Sequence, residues 1–374
     1  MRARLYRRRS VRAAVLAAVA GTVVACGGGN GGTGDGGGGD GGGGDGGGGD
    51  GGGGTAAPST AAPSTAAPQE SSRLAGEELW LDPSGHGPAA VREALASGRT
   101  GEAEALAPLA EQPTAVWIAS PDNPYPAVEA ASRAAAEEDR LPVLVAYNVP
   151  GRDCGLYSAG GATDPGSYLA WIGSFAAALA DRPAVVVLEP DAVPQAVVGC
   201  EGVDPAARYD LLSQAVAILD RQPETRIYLD AGNADWVDDL PALADALRKS
   251  GIDAADGFAL NVSNYETTEA NTEYGLRLSE TLEEGAPPGA PVAHFVVDTS
   301  RNGAGPPEDA PGGEGRWCNP PGRALGQPPT TSTDVPRLDA LLWIKQPGDS
   351  DGTCGGGPPA GQWWPEAAAE LVGG

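Results

Sequence analysis

From residue 114 onward the chain returns again and again to short apolar runs: Thr114–Ser120, Leu141–Val149, Ala184–Leu188, Arg226–Leu229, Gly257–Leu260, Val292–Val297 and Ala340–Ile344. They are rich in Val, Ile and Leu and show little polar alternation, the pattern of strands buried on both faces. Between most of them lie Ala-rich stretches of helical period, among them Ala127–Glu138, Gly166–Ala180, Pro205–Leu219 and Pro241–Ser250. Seven such β-α alternations predict a parallel sheet, closed or nearly closed. Residues 75–374 therefore read as one catalytic-sized α/β body, a distorted TIM-like β/α barrel of about seven parallel strands.

Polar residues stand at the C-terminal ends of these runs: Asn148, Glu189 with Asp191, Asp230, Asn261, Asp298 and Lys345. One acid after a strand is usually a turn former or helix cap. A whole series is more, because in a βα barrel the strand C-termini converge on one mouth where reactive groups collect.

The first 74 residues do not share the pattern. Arg2, Arg4, Arg7, Arg8, Arg9 and Arg12 form a basic stretch and Ala13–Val24 a short apolar one. Residues 1–25 thus read as an export signal rather than structure. The sequence Val23-Val24-Ala25-Cys26 resembles a bacterial lipoprotein cleavage box, which makes Cys26 the expected lipidated residue; an ordinary signal cut nearby is the alternative. Residues 26–74 then form a tether. Its Gly-Gly-Gly-Gly-Asp repeats, with Asp35, Asp40, Asp45 and Asp50, cannot bury a core, and the Ala/Pro/Ser/Thr repeats after them are biased to extended geometry. A lipid-anchored, extracellular location is expected, with the membrane met only through that anchor.

Composition narrows the partners. With 24 Lys+Arg against 50 Asp+Glu the net charge is −26. Such a field repels phosphate backbones, so no nucleic acid is expected. Two His, His86 and His294, cannot build a His-rich metal site, and no Walker sequence occurs; neither metal nor cofactor is expected. A neutral substrate fits, and the body is expected to act as a monomer. Five cysteines are an odd number. Assigning Cys26 to lipid leaves four, which suit two disulfides in an oxidising compartment.

The polar strand ends lie within longer motifs. The segment Val145-Ala-Tyr147-Asn-Val-Pro150-Gly-Arg152-Asp153-Cys154-Gly155-Leu-Tyr-Ser158-Ala-Gly160-Gly161 precedes Val187-Leu-Glu189-Pro190-Asp191-Ala-Val-Pro194. Then come Tyr228-Leu-Asp230-Ala-Gly232, Asn261-Val-Ser-Asn264-Tyr265, Asp298-Thr-Ser-Arg301-Asn-Gly303, Trp317-Cys318-Asn319-Pro320 and Trp343-Ile-Lys345-Gln-Pro-Gly-Asp349-Ser-Asp351-Gly352. In this order they resemble glycoside hydrolase family 6, the inverting cellulases, over the body from about residue 77.

The resemblance implies a β-1,4-glucan substrate. It assigns Asp191 as general acid, Asp153 as the carboxylate that tunes the acid's proton, Asp351 as the position usually proposed as base, and Tyr147 as the group crowding the sugar beside the scissile bond. Independently, Asp191 comes after an apolar strand and a Pro, where burial should keep a carboxyl protonated near neutrality, as the acid of an inverting hydrolase requires. Sugar contacts are implied at Trp117, Trp236 and Trp317, whose faces suit pyranose C–H surfaces, and at Ser158, Asp230, Asn233, Asn264, Lys345 and Asp349. The pairings Cys154–Cys200 and Cys318–Cys354 are likewise implied. No long insertion surrounds either pair, which matches the open-cleft, endo-acting members.

Two positions depart from the family. Asn233 stands where His is usual, and Asp349 where Glu is usual. They are the support for a rival reading, a surface carbohydrate-binding lipoprotein that kept the fold and lost catalysis. An exported esterase is a weaker rival. Its would-be elbow around Ser158 has one residue too many, with only His86 and His294 as bases.

Overall fold

A computed structural model describes residues 72–308 and 313–373. The export signal, Cys26 and the repeats through residue 71 lie outside the described residues. Seven strands form one sheet in chain order: β1 Val116–Ile118, β2 Val143–Ala146, β3 Ala184–Leu188, β4 Thr225–Asp230, β5 Gly257–Leu260, β6 His294–Asp298 and β7 Leu338–Leu342. Every neighbouring pair is parallel. β1 and β7 meet through a single parallel bridge, Thr114 to Trp343, with Ala115 N donating to Trp343 O at 2.9 Å. The sheet is curled, and that bridge stands where a closed barrel would have another full ladder.

The apolar runs make sense once both faces of the sheet are considered. Val143, Val145, Val185, Val187, Tyr228, Ala259, Val296, Ala340 and Leu342 fill the interior. Their chain neighbours Leu144, Val186, Leu229, Phe258 and Val297 pack outward into a second core shared with the helices. Period-2 alternation is present, but between two apolar environments, so it is silent in the hydropathy pattern.

Around the sheet run α1 His86–Ala96, α2 Thr100–Ala110, α3 Tyr125–Glu137, α4 Pro165–Leu179, α5 Ala192–Val198, α6 Pro205–Leu219, α7 Leu240–Lys249, α8 Thr268–Glu284, α9 Glu314–Trp317 and α10 Pro365–Gly373. Asp164, Asp204 and Asp239 each cap a helix with Pro in its first turn, their carboxylates accepting Ser167 N, Ala206 N and Ala242 N. One alternation differs from expectation. Between β6 and β7 the described residues hold only the single turn α9, and a register shift at Phe295/Val296 accompanies it, so β7 starts two residues before the apolar run that predicts it.

Residues Ser72–Leu74, expected within the tether, belong to the body. Leu74 is 1% exposed among the interior residues. Ser72 Oγ donates to Asp339 O at 2.8 Å and Arg73 N to Asp339 Oδ1 at 2.6 Å. Asp339 also accepts from Tyr228 OH at 2.8 Å and lies 2.9 Å from His294 Nδ1. This polar knot at the N-terminal ends of the strands closes the barrel floor, leaving the opposite end as the mouth.

Candidate active site

The polar residues that end the strands do two different jobs. Glu189, Asp230, Asn261 and Asp298 are fully buried clamps, each tying its strand end to a neighbour. Glu189 after β3 accepts Asn148 N and Val149 N beyond β2, both at 2.9 Å to Oε2. Asp230 at the end of β4 accepts Asp191 N at 3.0 Å. Asn261 donates from Nδ2 to Asp298 O at 2.9 Å. Asp298 accepts Ser263 N, Ser300 N, Ile344 N and Lys345 N, joining the ends of β5, β6 and β7. With these groups turned inward, the mouth residues are fixed in backbone conformations that L-residues seldom adopt. Asp153, Glu189, Asp191, Asn261 and Ser263 have φ of 57°, 50°, 70°, 65° and 59°.

Above the clamps lies a cleft of about 960 Å³. Asp191, Asp153, Asp351, Tyr147, Trp117, Ser158, Asn233, Trp236, Asn264, Trp317, Lys345 and Asp349 all line it. Asp230 does not; it stands behind Asp191, where its second oxygen has no partner among the described residues. The sugar contact expected of Asp230 gives way to a hold on the Asp191 backbone.

The carboxylates differ sharply. Burial, then the charge of Asp153, pushes the Asp191 carboxyl up to about 7, against a hydrogen bond from Tyr147 OH at 3.4 Å and the charge of Lys345. Burial also raises Asp153, offset in part by Ser158 N, which donates to it at 2.6 Å. Arg152 does not form the plain pair with Asp153 that adjacency suggests. Its guanidinium donates to Ser158 O, Ala119 O and Tyr147 O and lies 4.6 Å over the Tyr147 ring. Asp351 is the reverse case. It is buried, yet Arg301 grips it through two nitrogens at 2.9 Å, Lys345 Nζ is at 3.1 Å, and Tyr265 OH and Asn319 N also donate. These cations, led by Arg301, outweigh desolvation and hold Asp351 down at about 2.

Both disulfides sit beside these acids. Cys154–Cys200 ties the Asp153 loop to the segment after α5, the helix that Asp191 opens. Cys318–Cys354 fastens the two ends of the stretch in which Asn319 and Asp351 bond to each other's backbone.

Aromatic surfaces complete the cleft. Trp117 meets Tyr147 edge-on at 5.4 Å and donates Nε1 to Ile344 O at 2.8 Å, which fixes it across the β1–β7 seam. Trp236 packs on Gly232, where a Cβ would stand 3.1 Å from the indole. Trp317 lies 6.3 Å from Tyr157, whose hydroxyl donates to Glu314 at 2.7 Å and so links two mouth loops. Asn233 spends its Oδ1 on Asp235 N at 3.0 Å, turning the chain toward Trp236. Asn264 Nδ2 is bonded to Val262 O at 3.2 Å. Sequence reasoning missed His86, Tyr157, Gln195, Tyr265 and Arg316, which also line the cleft. His86 is the least legible of them, because it lies far from every motif and reaches the cleft only through the placement of α1.

The chain matches the family described as glycosyl hydrolases family 6 over residues 74–374. It is 42% identical over 303 residues to Endoglucanase 1 of Streptomyces halstedii, covering 79% of this chain and 88% of that protein. Among solved structures it is similar to the endoglucanase Cel6 of Mycobacterium tuberculosis in complex with methyl cellobiosyl-4-deoxy-4-thio-β-D-cellobioside. The TM-score there is 0.71 at 39% identity, over 80% of this chain and 97% of that one. The endoglucanase CEL6B of Humicola insolens gives a TM-score of 0.68 at 28% identity, over 80% and 97%.

Proposed function

The chain belongs to glycosyl hydrolase family 6 and is a cellulase of that family; from that footing we propose that it cuts β-1,4-glucan internally, with inversion, using Asp191 as general acid. The observation that carries this reading is the pairing of a carboxyl raised to about 7 with an open, Trp-lined cleft. A protonated acid beside a glycosidic oxygen can donate as the bond breaks. Asp230 fixes its backbone from behind, Tyr147 touches its Oδ2, and the Asp153 anion keeps its proton in place.

Water must attack the opposite sugar face, and its proton must leave. Asp351 supplies little basicity, because Arg301 and Lys345 already neutralise it. We assign it instead to holding Lys345 in the cleft, 3.1 Å from its Nζ. Asp153, in contact with the Ser158 backbone and less compensated by cations, is the better end for a proton relayed through water. Sugar contacts then fall to Trp117, Trp236, Trp317, Ser158, Asn233, Asn264 and Lys345. Endo action is supported by the endoglucanase names of the relatives and by the short loops around both disulfides.

The test reads the product. Freshly released reducing ends should carry the inverted anomeric configuration by NMR, and the viscosity of a soluble cellulose should fall well before reducing sugar accumulates. Retained configuration, or viscosity tracking sugar release, overturns the reading.

The leader belongs to the same proposal: export through residues 1–25 and lipid attachment at Cys26. The intact protein should then partition with membranes into detergent, and Cys26→Ala should leave it soluble or uncleaved. Unchanged membrane association of that variant removes the anchor.

A further inference from the structure

His86 opens α1, outside every sequence motif, and its side chain enters the cleft on the β1–β7 side. Its Nδ1 stands 2.6 Å from Asp349 Oδ1. Since an ionised carboxylate only accepts, Nδ1 carries the hydrogen. The other ring nitrogen, Nε2, makes no hydrogen bond among the described residues, while 45% of the side chain is exposed and lines the cleft. Asp349, in contrast, is 9% exposed.

The ring is held on several sides. Trp363 lies 6.3 Å away, tilted by 57°. Trp363 is seated on Gly348, where a Cβ would come within 2.5 Å of the indole, so the indole packs directly on the Asp349 loop. At the next position, Gly87 lets α1 approach the Leu109 carbonyl so closely that a Cβ there would stand 2.5 Å from its oxygen. Imidazole and carboxylate thus form a preorganised part of the cleft wall, backed by the indole, with one polar ring atom left without a partner among the described residues.

We propose that His86 is a sugar-contacting, specificity-setting residue, its Nε2 hydrogen-bonding a hydroxyl of the bound glucan while Asp349 serves as the buttress that orients the ring. This rests on the glucanase reading above. It accounts for the departure at 349: an Asp, one methylene shorter than the usual Glu, is withdrawn from the sugar and committed to the imidazole. The contact moves from the carboxylate to the histidine it orients, as carboxylates do for histidines elsewhere.

Two measurements on the whole enzyme test this. The chain has only two histidines, and the second, His294, is buried at the barrel floor. On titration with cellobiose and cellotriose, the imidazole NMR signals of His86 should move while those of His294 stay. Separately, His86→Ala should raise KM for cellopentaose and cellohexaose about fivefold to tenfold with kcat within twofold, the signature of lost uniform binding. Combining His86→Ala with Asp349→Glu should recover most of that loss, since the longer carboxylate reaches the sugar again. A His86 signal that ignores the ligand, or a KM within twofold of the parent in His86→Ala, overturns the proposal. A parent enzyme that leaves β-1,4-glucan uncut would instead overturn the glucanase reading, so the two failures are distinct.

Discussion

At the scale of single residues, chemistry turns on which carboxylates are protonated. Asp191→Asn keeps shape and hydrogen-bonding reach but has no proton to give. Turnover on unactivated glucan should fall by roughly two to four orders of magnitude, the usual share of general acid catalysis. Dinitrophenyl cellobioside, whose leaving group needs no protonation, should lose far less; an equal loss on both substrates would remove Asp191 from the role. The acid must be protonated to work, so kcat/KM of the parent should decline as pH rises through about 7. Asp153 raises Asp191 by charge repulsion. Asp153→Asn should therefore move that alkaline limb to lower pH, and should not be relieved by the activated substrate. A limb that stays in place in this variant would mean that Asp153 does not govern the acid's proton.

Elements show what is legible in the sequence and what is not. The apolar runs locate all seven strands, because a parallel sheet covered on both faces leaves few polar positions to confuse the pattern; Asp339 in β7 is one, and there the run starts late. The ends are less clear. Sequence marks Asp230 and Asp298 as polar strand termini just as it marks Asp191, yet the first two turn inward as clamps and only Asp191 faces the cleft. What separates them is position: Asp230 and Asp298 are the last residues of β4 and β6, whereas Asp191 stands three residues past the end of β3 at the head of α5, an offset that the polar pattern alone does not announce. The β6–β7 connection escapes the pattern because its described residues hold only the single turn α9, fastened by Cys318–Cys354, where the alternation implies a full helix. The clamps also make a measurable claim. Asp298 accepts four backbone N–H groups from three strand ends. Leaving buried donors unpaired costs about 1–3 kcal/mol each, and some will find water. Asp298→Ala should thus lower unfolding free energy by about 3–5 kcal/mol, with Asp298→Asn intermediate. A loss below about 1 kcal/mol in denaturant titration would show that the clamp is not what holds the mouth together.

Taken whole, the molecule is an acidic body that buries protonated acids, and its stability should vary with pH accordingly. Burial raises Glu189 from an ordinary 4.5 to about 7, despite the N–H groups of Asn148 and Val149 and the charge of Arg208. Asp191 rises from 3.8 to about 7. Between those ordinary values and about pH 7 the folded chain keeps protons that the unfolded chain has released, so stability must increase as pH falls across that window. His86 adds in the same direction: its hydrogen bond to Asp349 raises it above 6.5, and that contribution is complete below 6.5 and fades as pH rises through the folded value. Net charge reinforces the trend, since taking up protons relieves the self-repulsion of a chain at −26. The opposing groups are Asp351, held at about 2 by Arg301 and Lys345, and Asp164, held at about 2 by the Ser167 hydroxyl and N–H; their contributions are lost only as pH falls below their ordinary 3.8 toward that value. Maximum stability should accordingly lie at about pH 4–5, and Tm by calorimetry should climb steadily from about pH 7.5 to pH 5. Glu189→Gln removes one of the titrating groups while keeping an oxygen that can accept an N–H. Its Tm should depend less steeply on pH over the same interval. A Tm that falls on acidification across that interval, or a Glu189→Gln slope as steep as the parent's, would show that these buried acids do not hold their protons in the folded chain.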